Sequence, residues 1–294
     1  DFHRLNQGGG LTNGAVNPVS NFISIGQFQG PHNNPLPESA FGNNIRNSKK
    51  FDADTYRIVL DYAMDDSVML YASFATGFVA GGFAETCGTP VSCSAYDSEE
   101  NENFEIGIKS DLLDGQLRLN AAIFNTKYEN LQRDTVVTVQ DAAGNTFQET
   151  ISANEGDTTA TGAEIEMTWV PTSNFRIDAH LGYLNHEYDS YEPVPGRDYS
   201  NLETPFSPKW NGGVSATFFQ DVSNGSTLTY NLALHYQDAF ELNPFPANGA
   251  ELAAGNFVQK ANTQAESRTL LNGSITWEGS NEQFEVSLYG RNLT

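Results

Sequence analysis

From residue 54 onward apolar residues recur at every second position, in one segment after another, and the connections between segments alternate between tight and long. A period of two belongs to a strand with one apolar face. Tyr56, Ile58, Leu60 and Tyr62 share a face opposite Arg57, Val59 and Asp61, and Phe104, Ile106 and Ile108 alternate with Glu105, Gly107 and Lys109. Phe175, Ile177, Ala179, Leu181 and Tyr183 do the same against Arg176, Asp178, His180 and Gly182. Tight connections fall near residues 65, 114, 172, 223 and 279, with Asp114-Gly115 a strong hairpin signal. Long ones fall near residues 90, 143, 196 and 254. A soluble sandwich or propeller has no reason to sort its loops by length. A membrane barrel does, with short turns on one rim and long loops on the other.

The pattern predicts an all-β, antiparallel transmembrane β-barrel, present here as about ten strands. The fourth strand is expected to run from Leu117 to about Val139, to turn at Asp141-Ala142-Ala143-Gly144-Asn145, and to return through Phe147 to Trp169. Tyr62, Trp169, Phe175, Tyr183, Trp210, Tyr236 and Trp277 lie near strand ends on the apolar face, as the aromatic girdles of a barrel do. Residues 1–50, rich in Gly, Asn, Pro and Gln, show no sustained period and are expected to form a long loop or irregular segment between barrel strands. Residues 51–294 are expected to be barrel.

Mean hydropathy is −0.43, and no run approaches the roughly 18 apolar residues of a spanning helix. A barrel passes that test regardless, because only alternate residues face lipid. The formal charge of −22, from 37 acidic against 15 basic residues, argues against nucleic-acid binding, which needs clustered Lys and Arg. In an outer-membrane protein the acid excess lies in loops and lumen. Cys87 and Cys93 share the segment TCGTPVSCS with no His or further Cys to complete a metal site. They read as a small loop disulfide, which fits an oxidising compartment, or as two free thiols. The chain opens at Asp1 without a signal peptide and stops at Arg291-Asn292-Leu293-Thr294 inside an apparent strand, so a piece of a longer barrel is expected.

Enzymatic motifs are missing: there is no Gly-x-Ser-x-Gly elbow, no His-Glu-x-x-His and no phosphate-binding glycine loop. Neither an enzyme, a cofactor nor a metal centre is expected. His180 and His235, with Asp178, take the polar face and read as ordinary polar wall. The acidic stretch Asp97-Ser98-Glu99-Glu100 reads as a solvated charge run. Glu105, Lys109, Arg118, Glu164, Glu166, Arg176 and Asp178 share the polar parity, and carboxylates at membrane depth require a wet side.

Several segments together resemble the second half of a TonB-dependent receptor barrel. LYASFATGFVAGGF at 70–83 is similar to that family's Tyr-Ala-Ser-aromatic and Gly-Gly-Phe stretch. ENFEIGIKSDLLDGQLRLNAAIFNTKYENLQ at 102–132 resembles its Glu-x-Gly-x-Lys hairpin, TGAEIEMTWVPTSNFRIDAHLGYLNHEYDSY at 161–191 its Gly-x-Glu strand and the turn after it, and VSLYGRNLT at 286–294 the Asn-Leu-Thr near its last strands. The resemblance covers most of 54–294. It implies a barrel that closes with about twenty-two strands in the bacterial outer membrane, contacting outer-membrane lipid outside and filled by a plug that meets TonB. The plug, its TonB-contacting box and the closing aromatic strand lie outside the matched segments. The seven polar-face residues would line the interior. The implied function is active uptake of a scarce ligand, most commonly a ferric siderophore, with cobalamin, haem and carbohydrates as other cargoes. Ligand contacts in the family come from extracellular loops. Here these offer His186, Tyr188, Tyr191, Arg197 and Tyr199, then Phe245, Phe257 and Lys260, residues able to stack on a ligand and hold an anion. The rival readings are a passive porin without a plug and a soluble extracellular β adhesin.

Overall fold

The alternation resolves into strands throughout a computed structural model that describes residues 2–7, 44–83, 95–140, 144–192, 198–222, 225–242, 263–280 and 283–294. In chain order the strands are β1 (Phe2–Gln7), β2 (Asn44–Lys49), β3 (Arg57–Ala63), β4 (Val68–Val79), β5 (Gly82–Phe83), β6 (Ala95–Tyr96), β7 (Glu99–Leu112), β8 (Leu117–Glu129) and β9 (Gln132–Gln140). They continue as β10 (Thr146–Asn154), β11 (Gly156–Thr172), β12 (Phe175–Tyr191), β13 (Trp210–Asp221), β14 (Thr227–Gln237), β15 (Phe240–Glu241), β16 (Gln264–Ala265), β17 (Arg268–Glu278) and β18 (Glu285–Gly290). Ten of these form one antiparallel sheet in the order β3-β4-β7-β8-β11-β12-β13-β14-β17-β18, so each strand lies beside the next sheet strand in the chain.

The sheet's connections divide by rim. On one rim the turns are tight, and their chemistry is local. Asp65 Oδ1 accepts from Ser67 N and Ser67 Oγ at 2.7 Å each, while Leu113, Asp114 and Gly115 take positive φ between β7 and β8. On the other rim three of the connections carry two-stranded ribbons of their own, β5-β6, β9-β10 and β15-β16. The fourth returns to β12 through a bridge between Glu187 and Glu203. Within the segment that shows no period, β1 and β2 pair antiparallel, with Phe2 opposite Lys49.

Register keeps each face pure. Leu60, Ala72, Ile106, Ile123, Ala163, Tyr183 and Trp210 are successive Cα partners across seven strands. No described residue packs on the apolar face so built: Leu60 is 70% exposed, Ile123 54% and Leu232 55%. On a protein in water a patch of that extent would be an aggregation site. In a bilayer it is the surface that lipid covers. The stretch from Phe175 to Tyr183 is about 27 Å of extended chain, which at the usual strand tilt spans most of a bilayer's apolar band. Tyr183 and Trp210, rings 4.7 Å apart, mark its edge on the long-loop side.

One strand expectation is corrected. β8 stops at Glu129, and β11 begins at Gly156 rather than at Phe147; the intervening β9 and β10 form a separate ribbon. Asn130 adopts φ +56° and Gly156 φ +151°, conformations that turn the chain out of the sheet and that Asn and Gly tolerate best. Strand-forming residues continue past Asn130 because the ribbon is itself a hairpin, so the sequence pattern alone does not register the break.

Candidate functional site

Two places gather polar and aromatic chemistry: the base of the long loops and the polar face of the sheet. At the loop base, Tyr188, Tyr191 and Tyr199 form a buried cluster with Leu131 and Leu202 packed against it. Tyr191 is fully buried, and the Tyr188 and Tyr191 rings stack at 4.3 Å. Arg133 of β9 lies over both, its guanidinium carbon 5.5 Å from the Tyr188 ring and 6.0 Å from that of Tyr191. The Glu155 carboxylate and the Thr158 hydroxyl are buried alongside. His186 Nδ1 sits 3.0 Å from Ser207 Oγ, and the His186 carbonyl accepts from Thr204 Oγ1 at 2.9 Å. Burial, helped by the charge of Arg133, pushes the His186 imidazole below its ordinary pKa. Burial likewise raises the Tyr188 and Tyr191 hydroxyls, so all three side chains are held neutral near pH 7.

Of the loop residues singled out by sequence, His186, Tyr188, Tyr191 and Tyr199 are thus brought together, but as packing rather than as a presented surface: the three tyrosine rings contact the loop interior. Arg197, Phe245, Phe257, Lys260, Cys87 and Cys93 lie outside the described residues. Sequence reasoning passed over Arg133, Glu155 and Thr158, which complete the cluster. It also missed a set of amide side chains that tie the loops together. Gln132 Nε2 donates to the carbonyls of Val79 and Ala80 at 3.2 Å and of Asp97 at 3.0 Å. Asn154 Nδ2 donates to Asp97 O at 3.0 Å and Asn130 O at 2.7 Å, and Asp97 pairs with Lys49 of β2. The Asn130-Leu131-Gln132 sequence, a polar break followed by an amide, is the one sequence signal for this arrangement.

The sheet's polar face carries Glu105, Lys109, Arg118, Glu164, Glu166, Arg176 and Asp178. Glu164 and Glu166 of β11 face Gly182 and His180 of β12. Arg118 Nε donates to Asp111 Oδ1 at 2.7 Å, and Arg176 forks onto Asp178 through Nε and Nη2, both at 2.7 Å. Tyr71 donates to Glu105 at 2.7 Å while the Lys109 ammonium lies 5.5 Å from the Tyr71 ring. Such exposed pairs add little stability singly; their effect is to give the face a fixed, wettable pattern of charge. A shallow cleft opens where Arg118, Glu166, Asp178, His180, Ser215 and His235 meet.

Comparison with known proteins places this geometry. A family model described as "TonB dependent receptor-like, beta-barrel" matches residues 28–293. The metal-pseudopaline receptor CntO of Pseudomonas aeruginosa is 28% identical over 142 residues, 48% of this chain and 18% of that protein. The probable TonB-dependent siderophore receptor PiuA of Acinetobacter baumannii is 29% identical over 166 residues, 55% of this chain and 20% of that protein. Among solved structures, the ferric yersiniabactin uptake receptor FyuA from Yersinia pestis superposes with a TM-score of 0.64 at 19% identity, over 86% of this chain and 34% of that one. That likeness is one of fold. The chain spans about a fifth of the length of these curated relatives.

Proposed function

The chain belongs to the TonB-dependent receptor family as part of its outer-membrane β-barrel, and from that premise we propose that the whole protein performs TonB-dependent active uptake of a scarce ligand, with a ferric siderophore as cargo. The observation that carries the cargo is that PiuA is a probable siderophore receptor and CntO a metal-pseudopaline receptor. The fold supports the division of labour. The bare apolar face meets outer-membrane lipid, the polar face becomes the lumen wall around a plug that engages TonB, and the long-loop rim faces outward to capture ligand. Loop capture rests on a braced base, in which the Tyr188–Tyr191–Arg133 stack ties the β12–β13 connection to the β9–β10 ribbon, with Arg197, Phe245 and Lys260 as the ligand-contact residues.

The test is growth of a deletion strain under iron chelation with a panel of ferric siderophores supplied one at a time. Loss of growth on one of them, reproduced in a strain lacking TonB, supports the reading. Uptake that persists without TonB replaces it with a passive porin. Recovery of the full-length protein in the soluble fraction without detergent would point to an adhesin.

A further inference from the structure

The polar face holds a notch away from the loop-base cluster. On one rung of the sheet, Glu166 of β11, His180 of β12, Gly213 of β13 and His235 of β14 are consecutive Cα partners. Strands run about 4.8 Å apart, so the two histidines stand about 10 Å apart at the backbone. Their rings are far closer, with centroids at 6.2 Å and planes inclined by 42°. The residue between them is the reason. A Cβ at Gly213 would come within 2.8 Å of both His180 Cε1 and His235 Nδ1, so any side chain there would hold the imidazoles apart.

We infer that His180 and His235 form a two-imidazole site for a divalent transition-metal ion of the Zn²⁺, Ni²⁺ or Cu²⁺ class, seated over the Gly213 notch with the Glu166 carboxylate beside it. Imidazole nitrogens bind such ions at about 2.0–2.1 Å, which sets the centroids of two rings on one ion about 5 to 6 Å apart. The observed 6.2 Å lies at the open end of that spacing, and a small rotation of either exposed ring closes it. No three His, Cys, Asp or Glu groups among the described residues converge on one point. The imidazoles are therefore the two principal ligands, Glu166 joins by turning its exposed side chain, and water completes the sphere. Imidazole donors select borderline metals over Mg²⁺ and Ca²⁺, which favour all-oxygen shells. Arg118 and Asp178 also line this cleft but are held in the Asp111 and Arg176 ion pairs, so Glu166 sets its charge and disfavours an anion.

The experiment uses the receptor expressed from its complete reading frame with a histidine-free tag, purified in detergent, stripped with EDTA and titrated with Zn²⁺ by calorimetry. Cu²⁺ electron paramagnetic resonance then counts bound nitrogens. The expected result is one Zn²⁺ per chain and a two-nitrogen Cu²⁺ signature, with His180→Gln and His235→Gln each weakening Zn²⁺ at least about tenfold. Gly213→Ala keeps both histidines and should weaken binding comparably, because its methyl group stands between the rings. Heat-modifiable gel mobility checks that each variant is a folded barrel; where Gly213→Ala is not, the two histidine variants decide. Absence of Zn²⁺ binding by the wild type, or wild-type affinity in both histidine variants, overturns the site. The titration needs no siderophore, so its outcome is independent of whether the cargo proposed above is right.

Discussion

Tyr188 and Tyr191 stack with their ring planes 8° from parallel although they lie three residues apart on one strand, a spacing that places side chains on opposite faces of a regular strand. The register explains it. Tyr188 faces Thr158, but the next pairing is Ser190 with Asp157, so Asp189 is an extra residue, and the bulge returns Tyr191 to the face of Tyr188. A single inserted residue thus builds the aromatic platform under Arg133 and joins the β12–β13 connection to the β9–β10 ribbon.

Truncating the platform should therefore loosen the loops and spare the barrel. Tyr191 is fully buried, and removing a buried aromatic ring costs about 3–5 kcal/mol. In Tyr191→Ala that cost falls on local opening. Amide exchange in β9, β10 and residues 198–207 should rise sharply while heat-modifiable mobility stays that of the wild type. Tyr191→Phe, which keeps the stack, should shift exchange far less. Equal exchange in the Ala variant and the wild type would remove the platform's structural role.

The same cluster should respond to acid, in a direction fixed by His186, which lies above the aromatic belt. Its Nε2 is buried with no hydrogen-bond partner among the described residues, and its pKa is lowered, first by burial and then by Arg133. An imidazole in an opened loop titrates near 6.5. Below that pH the open form binds more protons than the packed one, so the packed state is favoured above about pH 6.5 and loses stability as pH falls through that value toward the lower packed pKa. Protease nicking of residues 198–207 should rise between pH 7.5 and 5, and His186→Gln should flatten the profile. A profile identical in the two proteins would assign the acid response elsewhere.

Gln132 offers a second handle, because the two N–H groups of its Nε2 are shared among three acceptors at the two ends of the β4–β7 connection, Val79 closing β4 with Ala80 after it, and Asp97 before β7. Each bond is worth about 0.5–1.5 kcal/mol net. In Gln132→Ala their joint loss should raise exchange at β5 and β6, across the brace, while residues 198–207 keep wild-type protection. Ser152→Ala, which removes a bond internal to the ribbon from Ser152 to Asp134 at 2.6 Å, serves as control. Rises confined to β9 and β10 in both variants would mean the loops are not coupled through Gln132.

The main sheet was readable in the residues because a period of two, once anchored by tight turns, leaves no freedom of face: a one-residue slip would put Glu164 and Glu166 into lipid. The same parity gathers the charged residues on one face. What periodicity could not show was where a strand leaves the sheet, since the Thr135–Val139 stretch is β-branched and as strand-forming as Leu117–Glu129, and the decisive feature is a backbone angle at Asn130. The cluster at the loop base was half legible. The tyrosines stood out as aromatic loop residues, but their burial depends on a bulge at Asp189 and on Arg133, a residue brought in from a different connection. The nearness of His180 and His235 depends on strand order, which sets Gly213 between them.

Facing can be tested on adjacent residues of one strand. Leu232 of β14 pairs with Ala216 and Gly273 on the apolar face and is 55% exposed, whereas Ala233 pairs with Ser215 and Asn272 on the polar face. An arginine facing the bilayer midplane costs about 2–4 kcal/mol, while lumen positions tolerate charge. Leu232→Arg should cut the yield of assembled receptor in the outer membrane and lower its unfolding free energy from denaturant titration by that order. Ala233→Arg, one residue along, should assemble as the wild type does, because its guanidinium enters a hydrated wall already carrying Arg118 and Arg176. Both variants belong in the complete receptor reconstituted in vesicles, where the apolar face is in its own solvent. If the two lose stability equally, the faces are not divided between lipid and lumen as the register requires; if Ala233→Arg is the worse of the two, the sheet is inside out.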